Sequence, residues 1–125
     1  MKTLTKAEEQ IMHCVWQLKN GFLKDIIDQL PDPKPAYTTV ATILNTLVRK
    51  GFVGFKAYGK LREYYPEVSR NAYFAGQVKG IVRNFFDNSY SQFASAFTAD
   101  HLSLTELEEL RKLFEEQIEK QRKES

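Results

Sequence analysis

The chain has 125 residues, of which 42% are hydrophobic and 27% charged, and its formal net charge is +2 at pH 7. This composition is typical of one globular domain, or of a small domain with an appendage. No apolar run approaches the roughly 18 residues of a membrane span, so we expect no direct membrane binding. Cys14 is the only cysteine, which excludes an intramolecular disulfide and favours a cytoplasmic location.

The first half of the chain predicts three helices. Thr5 and Glu8 form a capping box at the start of the first helix, which we expect Asn20-Gly21 to stop. A shorter helix follows over residues 23–30, and a proline-rich segment then breaks the chain. The third helix begins near Tyr37, and Gly51 stands at its expected end.

A change from helical to alternating periodicity after Gly51 predicts a β-hairpin. Residues 52–58 and 61–65 form its strands, Gly59-Lys60 forms a two-residue turn of type II′ character, and Pro66 ends the second strand. Three helices followed by a hairpin is the order of a winged helix-turn-helix domain. We therefore predict a mainly α fold with a small β-hairpin, and a winged-helix domain over residues 1–68.

The remaining residues, 69–125, predict a helical dimerisation region. Ser103 and Glu106 form a second capping box before the last helix, and we expect its polar end, residues 119–125, to be frayed. The apolar side chains here exceed what so short a segment buries alone, although packing on the winged-helix domain is an alternative. The predicted dimerisation residues are Tyr73, Phe74, Val78, Ile81, Val82, Phe85, Phe86, Leu107, Leu110, Leu113 and Phe114.

The third predicted helix carries an unusual polar face, opposite its apolar one. Threonine is a poor helix former, and a merely solvated face would more often use Glu, Lys or Gln. In a DNA major groove, its hydroxyl reaches phosphates or base edges and its methyl packs on thymine. An exposed β-branched helix without this role is the alternative. This polar face consists of Thr38, Thr42, Asn45 and Arg49, with Thr39 and Thr46 beside it.

Residues 34–62 contain six Lys or Arg and no acid, which predicts a local basic surface. Three of these charges, Lys56, Lys60 and Arg62, lie near the hairpin tip, where a wing would contact the DNA backbone. Arg49 and Lys50 end the third helix, where they would contact phosphates or complement the helix dipole.

Nothing in the sequence predicts an enzyme. His13 and His101 are the only histidines, and His13 and its neighbour Cys14 point about 100° apart on a helix. There is neither a Gly-rich phosphate loop nor a metal-ligand spacing. We expect no catalytic residue, no metal and no cofactor.

Residues 36–51 resemble the recognition helix of the penicillinase-repressor family of winged-helix transcriptional regulators. Residues 4–8 with Trp16 are similar to its first helix, and Gly59-Lys60 with residues 64–66 to its wing. Segments similar to its tail are Ser69, Phe85-Phe86-Asp87, Leu102-Ser103 and Leu107-Glu108-Glu109-Leu110. With this resemblance, the predicted DNA-binding residues are Tyr37, Thr38, Thr39, Ala41, Thr42, Asn45, Thr46, Arg49, Lys50, Lys56, Lys60 and Arg62.

The resemblance implies a homodimeric repressor of palindromic, double-stranded operator DNA. It also implies release by cleavage in the tail, triggered by a membrane-bound zinc-protease sensor of β-lactams, and hence a role in antibiotic resistance. Ala41 stands where the family often has glutamine, and the nearest counterpart of its cleavable Asn-Phe bond is Ala96-Phe97. The alternative function is a winged-helix protein–protein interaction module without sequence-specific DNA binding.

Overall fold

Three helices and a small antiparallel sheet form the N-terminal part of the computed structural model, which describes residues 3–125. Met1 and Lys2, which the sequence assigns to the winged-helix domain, lie outside the described residues. Within the sheet, the strand order is β1-β3-β2, and the predicted fold class is confirmed. The elements are α1 (Lys6–Leu18), β1 (Gly21–Phe22), α2 (Leu23–Gln29), α3 (Tyr37–Lys50), β2 (Val53–Tyr58) and β3 (Leu61–Pro66).

The predicted capping box and turns are present, but the end of α1 differs from the prediction. Gly51 ends α3 with a left-handed φ of 83°, and Gly59 opens the hairpin turn with a φ of 62°. The left-handed residue after α1 is Lys19, with a φ of 68°, and not Gly21. Gly21 instead pairs with Tyr64 in a third strand that periodicity does not predict. A Cβ at Gly21 would lie 2.9 Å from Leu18 Cδ1, so a larger residue here would require the Leu18 side chain to move.

One core joins the helices α1, α2 and α3 and the strands β2 and β3 of the N-terminal unit, which ends at Val78. Its members include the fully buried Met12, Ile26 and Leu44. The helix α4 (Arg70–Phe86) adds Tyr73 to this core. Because this contribution comes from beyond Val68, the unit is longer than the domain predicted from the sequence.

Tyr73 is held by both polar and aromatic contacts within its own chain. Its ring lies edge-on to Phe52, with centroids 5.7 Å apart. Its hydroxyl accepts a hydrogen bond from Leu4 N–H at 3.1 Å and donates to the Glu9 carboxylate at 3.2 Å. The prediction that Tyr73 contributes to a dimer interface is therefore corrected, because its side chain is already covered.

An ion pair between the buried Glu8 and the partly buried Lys50 joins the beginning of α1 to the end of α3. Lys50 Nζ donates to the two carboxylate oxygens of Glu8 at 2.8 and 2.9 Å, and Thr5 N–H donates to the same carboxylate at 2.8 Å. Burial by itself would raise the pKa of the Glu8 carboxyl. The hydrogen bonds from Lys50 and Thr5 outweigh that effect and hold the pKa below its ordinary value.

The C-terminal unit, from Lys79 to Ser125, has little core of its own. It contains the end of α4, α5 (Tyr90–Thr98) and α6 (Leu104–Glu124). Asp87 and Asn88, both with positive φ, separate α4 from α5. The capping box at Ser103 is present, but α6 continues to Glu124, so the predicted fraying is wrong. None of the helices within residues 3–125 combines the length and apolar character that a bilayer-spanning segment needs.

We expect Lys50→Met to lower the free energy of unfolding by about 1–3 kcal/mol, because it leaves the buried Glu8 carboxylate without its cation. The matched control is Arg49→Met, which removes a neighbouring but exposed cation and should change stability by less than about 0.5 kcal/mol. Urea denaturation at pH 7 measures both effects. Equal stabilities of the two variants would contradict a structural role for the ion pair.

Candidate nucleic-acid interface

The helix α3 separates sharply into a buried face and a polar face. Val40, Leu44 and Leu47 are fully buried in the core, whereas the predicted contact residues on the opposite face are exposed. The helix contains no acidic residue, so nothing on it repels a polyanion. The exposed side chains of this polar face are Thr38, Thr39, Thr42, Asn45 and Arg49.

Hydrogen bonds along α3 restrict what its threonines offer to a ligand. The hydroxyl of Thr42 donates to the Thr38 carbonyl at 2.8 Å, and that of Thr46 to the Thr42 carbonyl at 3.2 Å. Arg49 Nη2 donates to Thr46 Oγ1 at 3.1 Å. Since both hydroxyl protons are engaged, Thr42 and Thr46 offer methyl groups and acceptor lone pairs. Thr46 and Ala41 are half-buried beside this face.

The N-terminus of α3 suits an anion. Its N-cap, Ala36, has no side chain that accepts from the first turn, and the backbone N–H groups there carry partial positive charge. Tyr37, at the first helical position, is 55% exposed. A phosphate at this end would meet N–H donors and the side chains of Thr38 and Thr39.

Two of the six cations in residues 34–62 are engaged by backbone carbonyls or by a carboxylate of the fold. Lys34 Nζ donates to backbone carbonyls at the end of α2, the shortest distance being 2.7 Å to Leu30 O. Lys50 is occupied by Glu8. Although Lys50 is a predicted DNA-binding residue, its ammonium points into the unit and not toward the polar face of α3. Arg49, Lys56, Lys60 and Arg62 are exposed.

The hairpin of β2 and β3, which we call the wing, carries three of these exposed cations. Lys56 Nζ lies 5.6 Å from the centroid of the Tyr58 ring, and Lys60 occupies the turn. The Arg62 guanidinium lies 4.1 Å from the centroid of Phe55. Its Nη1 donates to Asn45 Oδ1 at 3.3 Å, which links the wing to α3.

Sequence reasoning misses two residues that shape this surface. Glu8 is readable as a helix cap, but its second role as the partner of Lys50 joins residues 42 positions apart. Phe55 is readable as a strand residue, but its role as a platform for Arg62 depends on the pairing of β2 with β3. The one sequence signal for the role of Phe55 is the cluster of cations beside aromatic residues in the hairpin.

The predicted dimerisation residues differ widely in exposure. Phe85 is 77% exposed and Phe74 64%, and Val78, Phe86 and Leu110 are half-buried. Val82, like Tyr73, is buried within its own chain, so it is not available to a partner. The other exposed members are Ile81, Leu107, Leu113 and Phe114.

The predicted cleavage residues, Ala96 and Phe97, are exposed near the end of α5. No residue of α5 is buried. A protease cleaves an extended chain and not a helix, so α5 would have to unwind locally. Its lack of buried side chains keeps the free-energy cost of that unwinding low.

The structure gives the reactive side chains a structural role. Burial raises the pKa of the Cys14 thiol above its ordinary value, which keeps the sulfur in its unreactive protonated form. His13 packs edge-on against Trp16, with ring centroids 5.4 Å apart. Across residues 3–125, no cluster of His, Cys, Asp and Glu could hold a metal ion.

Comparison with known protein families gives a match over most of the chain. The family model described as "Penicillinase repressor" matches residues 4–116. The methicillin resistance regulatory protein MecI of Staphylococcus aureus (strain N315) is 25% identical over 112 residues, which are 88% of this chain and 91% of MecI. The penicillinase repressor of Bacillus licheniformis is 24% identical over 115 residues, which are 90% of each chain.

A solved structure supports the fold of the N-terminal unit. The solution structure of the DNA-binding domain of the repressor BlaI matches with a TM-score of 0.50 and 23% identity, over 58% of this chain and 94% of that domain. At this identity, the match establishes the winged-helix fold and no more. The matching family consists of repressors and not of enzymes.

Proposed function

Because the chain belongs to the penicillinase-repressor family, we propose that it is a transcriptional repressor that binds double-stranded operator DNA through α3 and the wing. The polar face of α3 carries this proposal. It has compact side chains and no acid, and the fully buried Val40, Leu44 and Leu47 hold it outward. A helix of this kind fits the major groove, and the exposed cations of the wing would lie along the phosphate backbone.

Thr42→Glu tests this assignment, because it places an anion at the centre of the polar face. We expect roughly 100-fold weaker binding to duplexes selected from a random pool, without a loss of stability. Gel shift at low ionic strength measures binding. The matched control, Thr105→Glu on the exposed face of α6, should bind normally. Unimpaired binding by Thr42→Glu would exclude α3 from the groove, and no affinity of the native chain for any duplex would favour a protein–protein module.

The wing is tested through the salt dependence of binding. Lys60 is exposed at the turn of the hairpin, and each phosphate contact adds about one unit to the slope of log K against log salt concentration. We expect Lys60→Ala to reduce that slope by about one, whereas Lys120→Ala on α6 should leave it unchanged. A slope unaffected by Lys60→Ala would mean that the wing tip does not contact phosphate.

We also propose that the chain acts as a homodimer through its C-terminal unit. The apolar side chains exposed on this unit include Phe85, Leu107 and Phe114, and a monomer would leave them in water. Thr98, Leu107, Leu110, Phe114 and Ile118 line an open groove on the same unit. Two copies would place their α3 helices in successive major grooves, roughly 34–36 Å apart, and so select a palindrome.

Phe85→Asp should raise the dimer dissociation constant by about 30-fold or more, as expected for a truncated hot-spot residue. Asn84→Asp, which adds the same charge at the neighbouring exposed position of α4, is the control. Sedimentation equilibrium over a range of concentrations measures both constants. An unchanged constant for Phe85→Asp would remove this face of α4 from the interface.

For induction, we propose that a membrane-bound sensor protease responding to a β-lactam cleaves α5 at Ala96-Phe97. The exposure of both residues and the absence of buried side chains from α5 support this proposal. Mass spectrometry of the protein from β-lactam-treated cells should detect a fragment that begins at Phe97. Phe97→Ala should reduce its yield, but Phe114→Ala on α6 should not. An intact chain in induced cells, or a terminus elsewhere, would contradict this site.

A further inference from the structure

The contact between Arg62 and Asn45 determines which atoms of Asn45 face outward. Arg62 Nη1 lies 3.3 Å from Asn45 Oδ1. A guanidinium has only donors, so the atom that it contacts must be the amide oxygen and not the amide nitrogen. The Asn45 side chain is exposed, and its NH₂ group is left free to bind a ligand.

The position of Arg62 is itself stabilised from behind. Its guanidinium lies over the Phe55 ring at 4.1 Å, and the Phe55 ring packs against the buried Tyr64 with centroids 6.0 Å apart. Stacking of this kind favours a fixed guanidinium plane. The stacking on Phe55 thus restricts the Arg62 guanidinium and favours its hydrogen bond to the Asn45 amide.

The two side chains together present donors to the major groove. The free NH₂ of Asn45 and the remaining N–H groups of Arg62 are donors, and Asn45 Oδ1 already accepts a hydrogen bond from Arg62. Guanine presents two acceptors, N7 and O6, at its major-groove edge. Adenine presents an acceptor and a donor, and its usual pairing with asparagine needs the amide oxygen turned toward the base. The hydrogen bond from Arg62 turns that oxygen toward the wing.

We propose that Asn45 reads a guanine in each operator half-site, and that Arg62 is the positioning residue that sets this preference. The inference rests on the proposed function, because it requires α3 to lie in the major groove. Without Arg62, the Asn45 amide is free to rotate and can pair with adenine through both its oxygen and its nitrogen. Arg62 thus determines base specificity through the orientation of a neighbouring side chain, in addition to any phosphate contact.

Selection from a random duplex pool with the full chain, followed by sequencing, tests this inference. Asn45→Ala identifies the base position that Asn45 contacts, since preference should be lost there and kept elsewhere. At that position, the native chain should favour guanine over adenine by about 10-fold or more. Arg62→Met, which keeps an unbranched stem over Phe55 but removes every donor, should reduce this ratio to about two or reverse it toward adenine.

Lys60→Met is the matched control, because it removes a cation from the adjacent turn without touching Asn45. It should weaken binding at all sequences and leave the guanine preference intact. Arg62→Lys, which restores a donor, should recover part of the preference. A guanine ratio unchanged in Arg62→Met, an adenine preference in the native chain, or no position sensitive to Asn45→Ala would overturn the inference while leaving DNA binding in place. Failure of the native chain to retain any duplex would overturn the proposed function itself and this inference with it.

Discussion

The proposed DNA interface depends on how firmly α3 is fixed in the N-terminal unit. Its apolar face is fully buried through Val40, Leu44 and Leu47, which sets the rotation of the helix about its own axis. The ion pair between Lys50 and Glu8 ties its C-terminal end to the first turn of α1. Removal of Lys50 would leave the buried Glu8 carboxylate without its cation, so the pair favours the observed placement of α3. The polar face of α3 is therefore presented outward.

The contacts within the fold also determine which cations of residues 34–62 remain available to DNA. Lys34 and Lys50 stabilise the fold through α2 and α1, and Arg62 both orients Asn45 and carries an exposed charge. Only Arg49, Lys56 and Lys60 then remain as simple surface cations among the six of residues 34–62. A smaller set of free charges lowers sequence-independent attraction to DNA. A larger share of binding would come from base contacts on α3, which is the requirement for selecting an operator among many competing sites.

The two units differ in how much they can stabilise themselves. The N-terminal unit encloses an apolar core built from its helices and its hairpin, whereas the C-terminal unit leaves large apolar side chains on α4 and α6 exposed. Helices of this length gain most of their stability from tertiary packing. In the proposed homodimer, the order of the C-terminal unit would depend on a second copy, and loss of part of this unit would abolish the paired arrangement that doubles the contacts with DNA. In this proposal, repression and its relief would both depend on the C-terminal unit, which has few buried residues to stabilise it.

Local patterns in the sequence determined the helices, two of their N-terminal caps, the end of α3 and the hairpin, because each is specified by residues within a few positions of one another. Thr5 with Glu8 and Ser103 with Glu106 form the predicted capping boxes, and the polar face of α3 follows directly from its periodicity. Only the tertiary structure decided the partners of individual side chains. The sequence predicts Lys50 as a DNA-contacting cation, but in the fold it pairs with the buried Glu8. The sequence predicts Tyr73 as an interface residue, but in the fold it lies in the core. These roles depend on contacts between residues 42 and 69 positions apart, and no local pattern encodes such distances, since they are set by how the elements pack together.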